Sequence, residues 1–244
     1  MSETVLLAIL IFAAAVLYSA AGQAGASGYL AAMAFVGLAA DVMKPAALVL
    51  NIVVATIATA QFYKAGCFSW RTLWPFVVGS IPLSFVGGAM HLPSSIYKPV
   101  VGVVLLLAAF RLVVTASRKV TAPAAHASLP AAVVAGAAIG LLSGLTGTGG
   151  GIFLSPLLLF MGWAETRETA GVSAAFVLVN SIAGLAGNLA SVQHLPPEIS
   201  YWAVAAAMGG LIGTEFGSRH LAPDAIRYML AVLLIVAGCK MMLT

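Results

Sequence analysis

Long apolar stretches with few or no charged residues constrain this chain more than any other feature. Eight of them approach the roughly 20 residues that a helix needs to cross about 30 Å of hydrocarbon. They lie at 4–21, 45–63, 72–90, 97–115, 130–148, 168–190, 200–218 and 224–243. Only 7% of the residues are charged and 62% are apolar, which leaves too few polar side chains to cover a water-soluble globule. The sequence therefore predicts an all-helical protein that crosses a membrane several times.

Two further apolar stretches, 29–40 and 152–164, are too short to cross a bilayer comfortably, because each would be only about 18–20 Å long as a helix. Each follows a glycine-rich break, GQAGASG at 22–28 and GLTGTGG at 144–150. In both breaks glycine recurs every third residue, and the offset between the two copies is 122. The short length favours a re-entrant hairpin over an additional crossing, and both arrangements stay open.

The matching breaks belong to a longer internal repeat. Four positions of the first half recur in the second at an offset of 130: Gly79, Gly87, Pro93 and Ile96 match Gly209, Gly217, Pro223 and Ile226. The chain is therefore predicted to consist of two copies of one unit, at 1–115 and 131–244. A connector at 116–130, which contains a basic pair and two prolines, joins them.

The placement of lysine and arginine decides how the two units are oriented. If each unit crosses the membrane an even number of times, the cations divide six against five. An odd number divides them eight against three, which is the excess expected on the cytoplasmic side of a membrane protein. We therefore predict inverted repeats in the cell inner membrane, with the connector in the cytoplasm and both termini outside.

The glycine breaks are the best candidates for a binding site. Non-helical backbone persists in hydrocarbon only where it is buried in protein or lines a watery cavity. Paired breaks in inverted halves therefore indicate one site between them. The helices are expected to begin near Tyr29 and Ile152, and the unpaired N–H groups and positive dipole end at a helix start favour an anion.

Each predicted anion-binding residue either carries a neutral hydrogen-bond donor or is a glycine, which has no side chain to block the backbone. Those in the breaks are Gln23, Gly25, Ser27, Gly28, Thr146, Gly147, Thr148, Gly149 and Gly150. Polar residues of the following helices complete the set, namely Asn51, Ser173 and Asn180. A cation path usually contains an embedded carboxylate, whereas no acidic residue lies in the middle of any apolar stretch here. The missing carboxylates therefore favour an anionic substrate.

Other features of the sequence bear on alternative functions. Gly209, Gly213 and Gly217 are spaced four apart, which is typical of close helix packing. The eleven cations form no stripe that would bind nucleic acid. No nucleotide-binding loop, zinc-ligand pattern or catalytic grouping is present, so we predict no cofactor, no metal and no catalytic residue. An anion channel and, from another class, an intramembrane enzyme remain the alternatives to a carrier.

The sequence resembles the sulfite exporter TauE/SafE family of membrane proteins. The resemblance is carried by GQAGASGYLAAM, GLTGTGGGIFLSPLLL and FYKAGCFSWRTLWPFVVGSIP, and by the repeat that covers essentially the whole chain. It implies a secondary transporter, by expectation an exporter, of small sulfur-containing anions such as sulfite or organosulfonates. The implied partners are this small anion and the lipid bilayer. The oligomeric state is left open between a monomer and a homodimer.

Overall fold

A computed structural model describes residues 3–90, 92–116, 127–189 and 195–219, with the single positions 235, 239 and 242. Within these ranges the regular structure is helical, as predicted. The helices are α1 (Glu3–Ser19), α2 (Ala26–Val36), α3 (Ala40–Lys64), α4 (Trp70–Ala89), α5 (Ser94–Ala116), α6 (Leu129–Thr146), α7 (Gly151–Phe160), α8 (Thr166–Gly187) and α9 (Ile199–Arg219).

Seven of the eight long apolar stretches coincide with a helix, and the eighth, 224–243, lies almost entirely outside the described residues. Four helical segments in the described ranges are long and apolar enough to cross a bilayer. They are Asp41–Lys64, Trp70–Ala89, Leu129–Thr146 and Thr166–Gly187. The chain is therefore a multi-pass membrane protein by helix length and composition.

Local sequence explains where several helices begin and end. Ser69 caps α4, because its side chain accepts a hydrogen bond from the backbone N–H of Thr72. Pro130 lies in the first turn of α6, where its missing N–H is not needed. Gly147 ends α6 in the left-handed conformation with φ of 82°, which glycine adopts without a steric penalty.

The two short helices are present, but one begins earlier than predicted. α7 has 10 residues and begins at Gly151, close to the expected start. α2 has 11 residues and begins at Ala26, three residues before the predicted start at Tyr29. The reason is that Gly25, with φ of 118°, is the residue that breaks the backbone, so Ser27 and Gly28 already belong to the first turn.

The helices that carry the glycines matched at an offset of 130 pack in a similar way. A Cβ atom at Gly79 or Gly87 of α4 would overlap backbone of α6, and one at Gly209 or Gly217 of α9 would overlap backbone of α1. The packing interpretation of the spaced glycines on α9 is therefore confirmed. Each helix pair includes one helix from each half, so the two halves interdigitate rather than fold side by side.

The outer surface of the bundle is apolar. On α9, large side chains such as Val204, Met208 and Phe216 are about half exposed or more, and α4 presents Val78 and Phe85 in the same way. Ile212 lies between Met208 and Phe216, and Ile81 lies between Val78 and Phe85. The exposed side chains therefore follow one another at intervals of three or four residues and form continuous outward stripes. Exposed apolar surface on this scale is incompatible with water and is the normal lipid-facing surface of a membrane helix.

Candidate functional site

The two glycine breaks meet inside the bundle. Gly151 at the start of α7 lies against the first break, where a Cβ atom on it would be 3.7 Å from Cα of Gln23. Gly22 packs against Ala170 near the start of α8, and Gly147 packs against Lys44 near the start of α3. Contacts between α3 and α8 run in opposite chain order, Leu48 with Gly184 and Asn51 with Ser181, so the two helices are antiparallel. The two breaks therefore pack against helix starts that lie at opposite ends of this helix pair.

The backbone conformations of the two glycine breaks match at a different offset from the 122 found in the sequence. Left-handed backbone occurs at Gly22, Ala24 and Gly25 in the first break and at Gly147, Gly149 and Gly150 in the second. These positions match at an offset of 125. A glycine motif with a period of three matches itself again after a shift of three residues, so the sequence could not distinguish the two alignments. Gly25, and not Gly28, is therefore the equivalent of Gly150.

Aromatic side chains cover the first break. The hydroxyl of Tyr29 donates a hydrogen bond to the carbonyl of Ala24, and the ring lies 2.7 Å from where a Cβ of Gly25 would be. Gly28 packs against Ala14 and Tyr18 of α1. The prediction that Gly28 belongs to the break is therefore wrong, because this glycine lies within α2 and packs against α1. The start of α2 offers an anion much less open backbone than the sequence suggested.

The second break faces polar side chains. A Cβ atom at Gly149 would lie 2.7 Å from Nδ2 of Asn51 and 3.1 Å from Oγ of Ser181. These two side chains also meet each other, since Nδ2 of Asn51 donates to Oγ of Ser181 over 3.3 Å. The structure therefore brings Asn51 of α3 to the break, as predicted, and adds Ser181 of α8.

The backbone at the start of α7 has no side-chain cap. Gly150 occupies the cap position, and its carbonyl accepts from the N–H groups of Phe153 and Leu154 at 3.0 and 3.1 Å. The N–H groups of Gly151 and Ile152 come before the first helical bonds and are not used by them. Both residues are buried. This is the arrangement at which helix starts bind anions.

Two buried amides near the breaks have spare hydrogen-bonding capacity. Within the described residues, Oε1 of Gln23 and Oδ1 of Asn51 have no partner, although both atoms are buried. A buried polar group without a partner is rare and calls for an explanation such as a missing ligand or water. Rotating either amide by a half-turn replaces its oxygen with an NH2 group, which can donate to an anion.

Other predicted site residues have hydrogen-bond partners within the fold. Ser173 of α8 accepts a hydrogen bond over 2.8 Å from Ser155, which lies one turn into α7. The hydroxyl of Thr146 donates to the carbonyl of Leu142 at 2.7 Å and lies 3.0 Å from the hydroxyl of Thr148. Since Thr146 has a single hydroxyl proton, the hydrogen on that second bond comes from Thr148. Neither threonine proton is directed at the start of α7.

Asn180 is adjacent to Ser181 in the chain but has different contacts. Its Nδ2 donates to the carbonyl of Phe176 on the same helix, and its backbone carbonyl accepts from Ser84 of α4. Its side-chain Oδ1 is buried and has no partner among the described residues. The side chain facing the break is therefore that of Ser181, which the sequence analysis did not select. The helical period does not select Ser181, because Asn180, seven residues after Ser173, lies about 20° from it around the helix axis and Ser181 about 80°.

The charges near the site have one sign. In the described part of the chain the buried polar residues include no aspartate or glutamate, and Lys44 is their one charged member. These ranges also contain no group of three or more histidine, cysteine, aspartate or glutamate residues that could hold a metal ion. Cys67 is buried and Cys239 is exposed, and both are free thiols. The surroundings of the second break are therefore neutral or positive.

Apolar spanning helices, a lipid-facing surface and a polar break in the interior define a multi-pass helical membrane protein of the transporter class. The family model for the sulfite exporter TauE/SafE matches residues 7–241. A probable membrane transporter protein, y4hK, of Sinorhizobium fredii (strain NBRC 101917 / NGR234) is 45% identical over 245 residues and is covered, like this chain, to 99%. No solved structure matches the chain. The chain belongs to the sulfite exporter TauE/SafE family, and the resemblance drawn from the sequence is confirmed.

Proposed function

We propose that this protein is a secondary transporter that exports small sulfur-containing anions, such as sulfite or organosulfonates, across the cell inner membrane. The observation that carries the proposal is the start of α7. There, the buried residues Gly151 and Ile152 have backbone N–H groups that the helix does not use, and Gly149, directly before the helix cap, lies against Asn51 and Ser181. The buried residues of the described ranges include no carboxylate. Family membership supports the sulfur oxyanion as substrate.

We place the anion where Gly151 meets Gln23, between the two breaks. Inverted repeats that rock against each other would open this point to one side of the membrane and then to the other. The similar packing of the helices that carry the matched glycines supports such a repeat architecture. A membrane potential that is negative inside favours export by about 2.3 kcal/mol per charge per 100 mV, so a dianion needs no strong additional driving force.

Anion binding should raise the thermal stability of the detergent-solubilised protein. Sulfite and a simple organosulfonate are expected to raise the Tm, because a ligand present at about 100 times its Kd stabilises the folded state by roughly 2.7 kcal/mol. Sulfate and chloride at equal ionic strength are the controls for salt effects. The measurement is a thermal unfolding series in each anion. If neither sulfite nor the organosulfonate raises the Tm, the proposal is contradicted.

Transport in vesicles distinguishes the carrier from an anion channel. A carrier is expected to give saturable uptake of labelled sulfite and to exchange internal for external substrate. A current that rises without saturation would favour the channel. The same vesicles provide the test of direction, because an inside-negative potential should accelerate export of a dianion and slow its uptake.

The inverted arrangement predicts that the N-terminus and the connector lie on opposite sides of the membrane. A cysteine added before Met1 should react with an impermeant maleimide in intact cells, while a cysteine replacing Ser128 should react only after the membrane is permeabilised. The background is a variant in which Cys67 and Cys239 are serine, since both native thiols are free. Equal labelling of the two positions in intact cells would refute inversion.

A further inference from the structure

Lys44 is buried in an environment that the sequence did not indicate. In the sequence it directly precedes the apolar stretch 45–63, a position that gives no sign of burial. In the fold it lies in the second turn of α3 and is only 8% exposed. Its Nζ donates to the carbonyls of Gly87, Gly88 and Met90 at 3.1, 2.9 and 3.1 Å. These carbonyls belong to the end of α4, so the ammonium caps that helix.

Capping satisfies the three N–H groups of Lys44 but leaves its charge without a counter-ion. No ion pair joins Lys44 to a carboxylate in the described part of the chain, where the buried residues include no aspartate or glutamate. A charge removed from water is expensive unless it is paired. Three carbonyls at the negative end of a helix dipole compensate part of that cost. A cap alone could be made by a neutral donor, so the positive charge requires a further explanation.

The second break lies directly against this lysine. A Cβ atom at Gly147 would be 3.1 Å from the carbonyl oxygen of Lys44 and 3.4 Å from its Cγ. The hydroxyl of Tyr97 of α5 also contacts this part of the chain, since it donates to the carbonyl of Thr146 over 3.0 Å. Lys44 therefore lies at the end of the break where α6 stops, beside the backbone that leads to the start of α7.

The same face of α3 carries both Lys44 and Asn51. The two residues are seven apart, which is two helical turns or about 10.5 Å along the axis. Lys44 touches Gly147 and Asn51 touches Gly149, so α3 follows the break from its outer end to the proposed anion position. The fixed charge thus lies on the path between one end of the bundle and the start of α7.

We propose that Lys44 supplies the positive charge that makes the second break selective for anions. As an anion passes Gly147, the ammonium exchanges one of its three carbonyl acceptors for an anion oxygen and returns to the carbonyl when the anion leaves. Lys44 is then a specificity-determining residue at one end of the path, while the start of α7 binds the anion deeper in the bundle. The inference rests on the proposed anion transport and names the charge that this transport uses.

The test compares variants of Lys44 in the complete protein, reconstituted in vesicles and assayed with sulfite. K44Q keeps an N–H donor for the α4 carbonyls but removes the charge, and it is expected to raise the KM for sulfite at least tenfold. K44R keeps the charge and is expected to stay within threefold of the unmodified protein. K64M, at the exposed end of the same helix, removes a charge far from the break and should leave the KM unchanged.

Thermal unfolding separates the proposal from a purely structural role. K44M, which loses both the donor and the charge, should have a lower Tm than K44Q because α4 loses its cap, and both should show a smaller sulfite-dependent rise in Tm than the unmodified protein. A lower Tm with an undiminished sulfite response in K44Q would overturn the proposal. If the unmodified protein itself does not respond to sulfite, the proposed function fails and this inference fails with it.

Discussion

Replacing Asn51 by aspartate is expected to abolish anion transport while leaving the protein folded. Aspartate has nearly the shape of asparagine, so the contacts with Gly149 and Ser181 can persist. Its carboxylate, however, would lie beside the start of α7 and compete there as a fixed anion for the N–H groups of Gly151 and Ile152. We expect sulfite affinity to fall about 100-fold, which corresponds to roughly 2.8 kcal/mol.

The measurement is sulfite uptake into vesicles at pH 7.5 together with thermal unfolding in detergent. Q61E is the matched control, because it makes the same chemical change on the same helix about 15 Å farther along its axis. Q61E should transport normally. If the N51D variant transports sulfite at the same rate as the unmodified protein, the anion does not bind at the start of α7.

The second large effect, a loss of folded protein, is expected when Gly217 of α9 is replaced by alanine. In G217A the added methyl group would overlap the backbone carbonyl of Ala20, so α9 cannot stay against α1 without one helix moving. Overpacking of this kind usually costs about 1–3 kcal/mol, and a backbone atom cannot rotate out of the way as a side chain can. We expect G217A to lose most of its monodisperse protein in gel filtration.

The control for G217A is G66A. Gly66 has φ of 70°, but nothing lies within 4 Å of the position of its added Cβ atom. This substitution should therefore cost only the backbone strain of an alanine in the left-handed region, about 1 kcal/mol. Equal yields of folded G217A and G66A would contradict the close approach of α9 and α1.

The helices of this fold could be predicted from sequence because the bilayer imposes their length. Each apolar stretch ends where charges or proline and glycine begin, so helices such as α4 and α6 begin and end within a few residues of the predicted limits. The short helices α2 and α7 were predicted because a glycine-rich break precedes each of these apolar stretches. The three-residue error at the start of α2 came from the periodic glycine motif, which does not reveal which glycine has left-handed backbone.

The candidate site was only partly predictable. The presence of a glycine break and of an amide on α3 follows from residue types, and Asn51 does contact Gly149. The covering of the first break by Tyr29, and the choice of Ser181 over Asn180, depend on how the helices are rotated against each other. Rotation is set by packing across both halves, and a hydrophobic pattern that is apolar on nearly every face does not specify it.

The eleven cations show the same division between sequence and structure. Their number and placement along the chain predict a membrane protein and one arrangement of its halves, because interfacial charges follow the topology of a chain in a bilayer. Only the tertiary structure reveals that one of them, Lys44, lies inside the bundle on the carbonyls that end α4. The sequence by itself thus determined that the chain spans a membrane and where its helices are interrupted, since the bilayer accepts only self-satisfied backbone. The tertiary structure decided which break faces polar side chains and which charge lies beside it, because both depend on contacts between residues far apart in the chain.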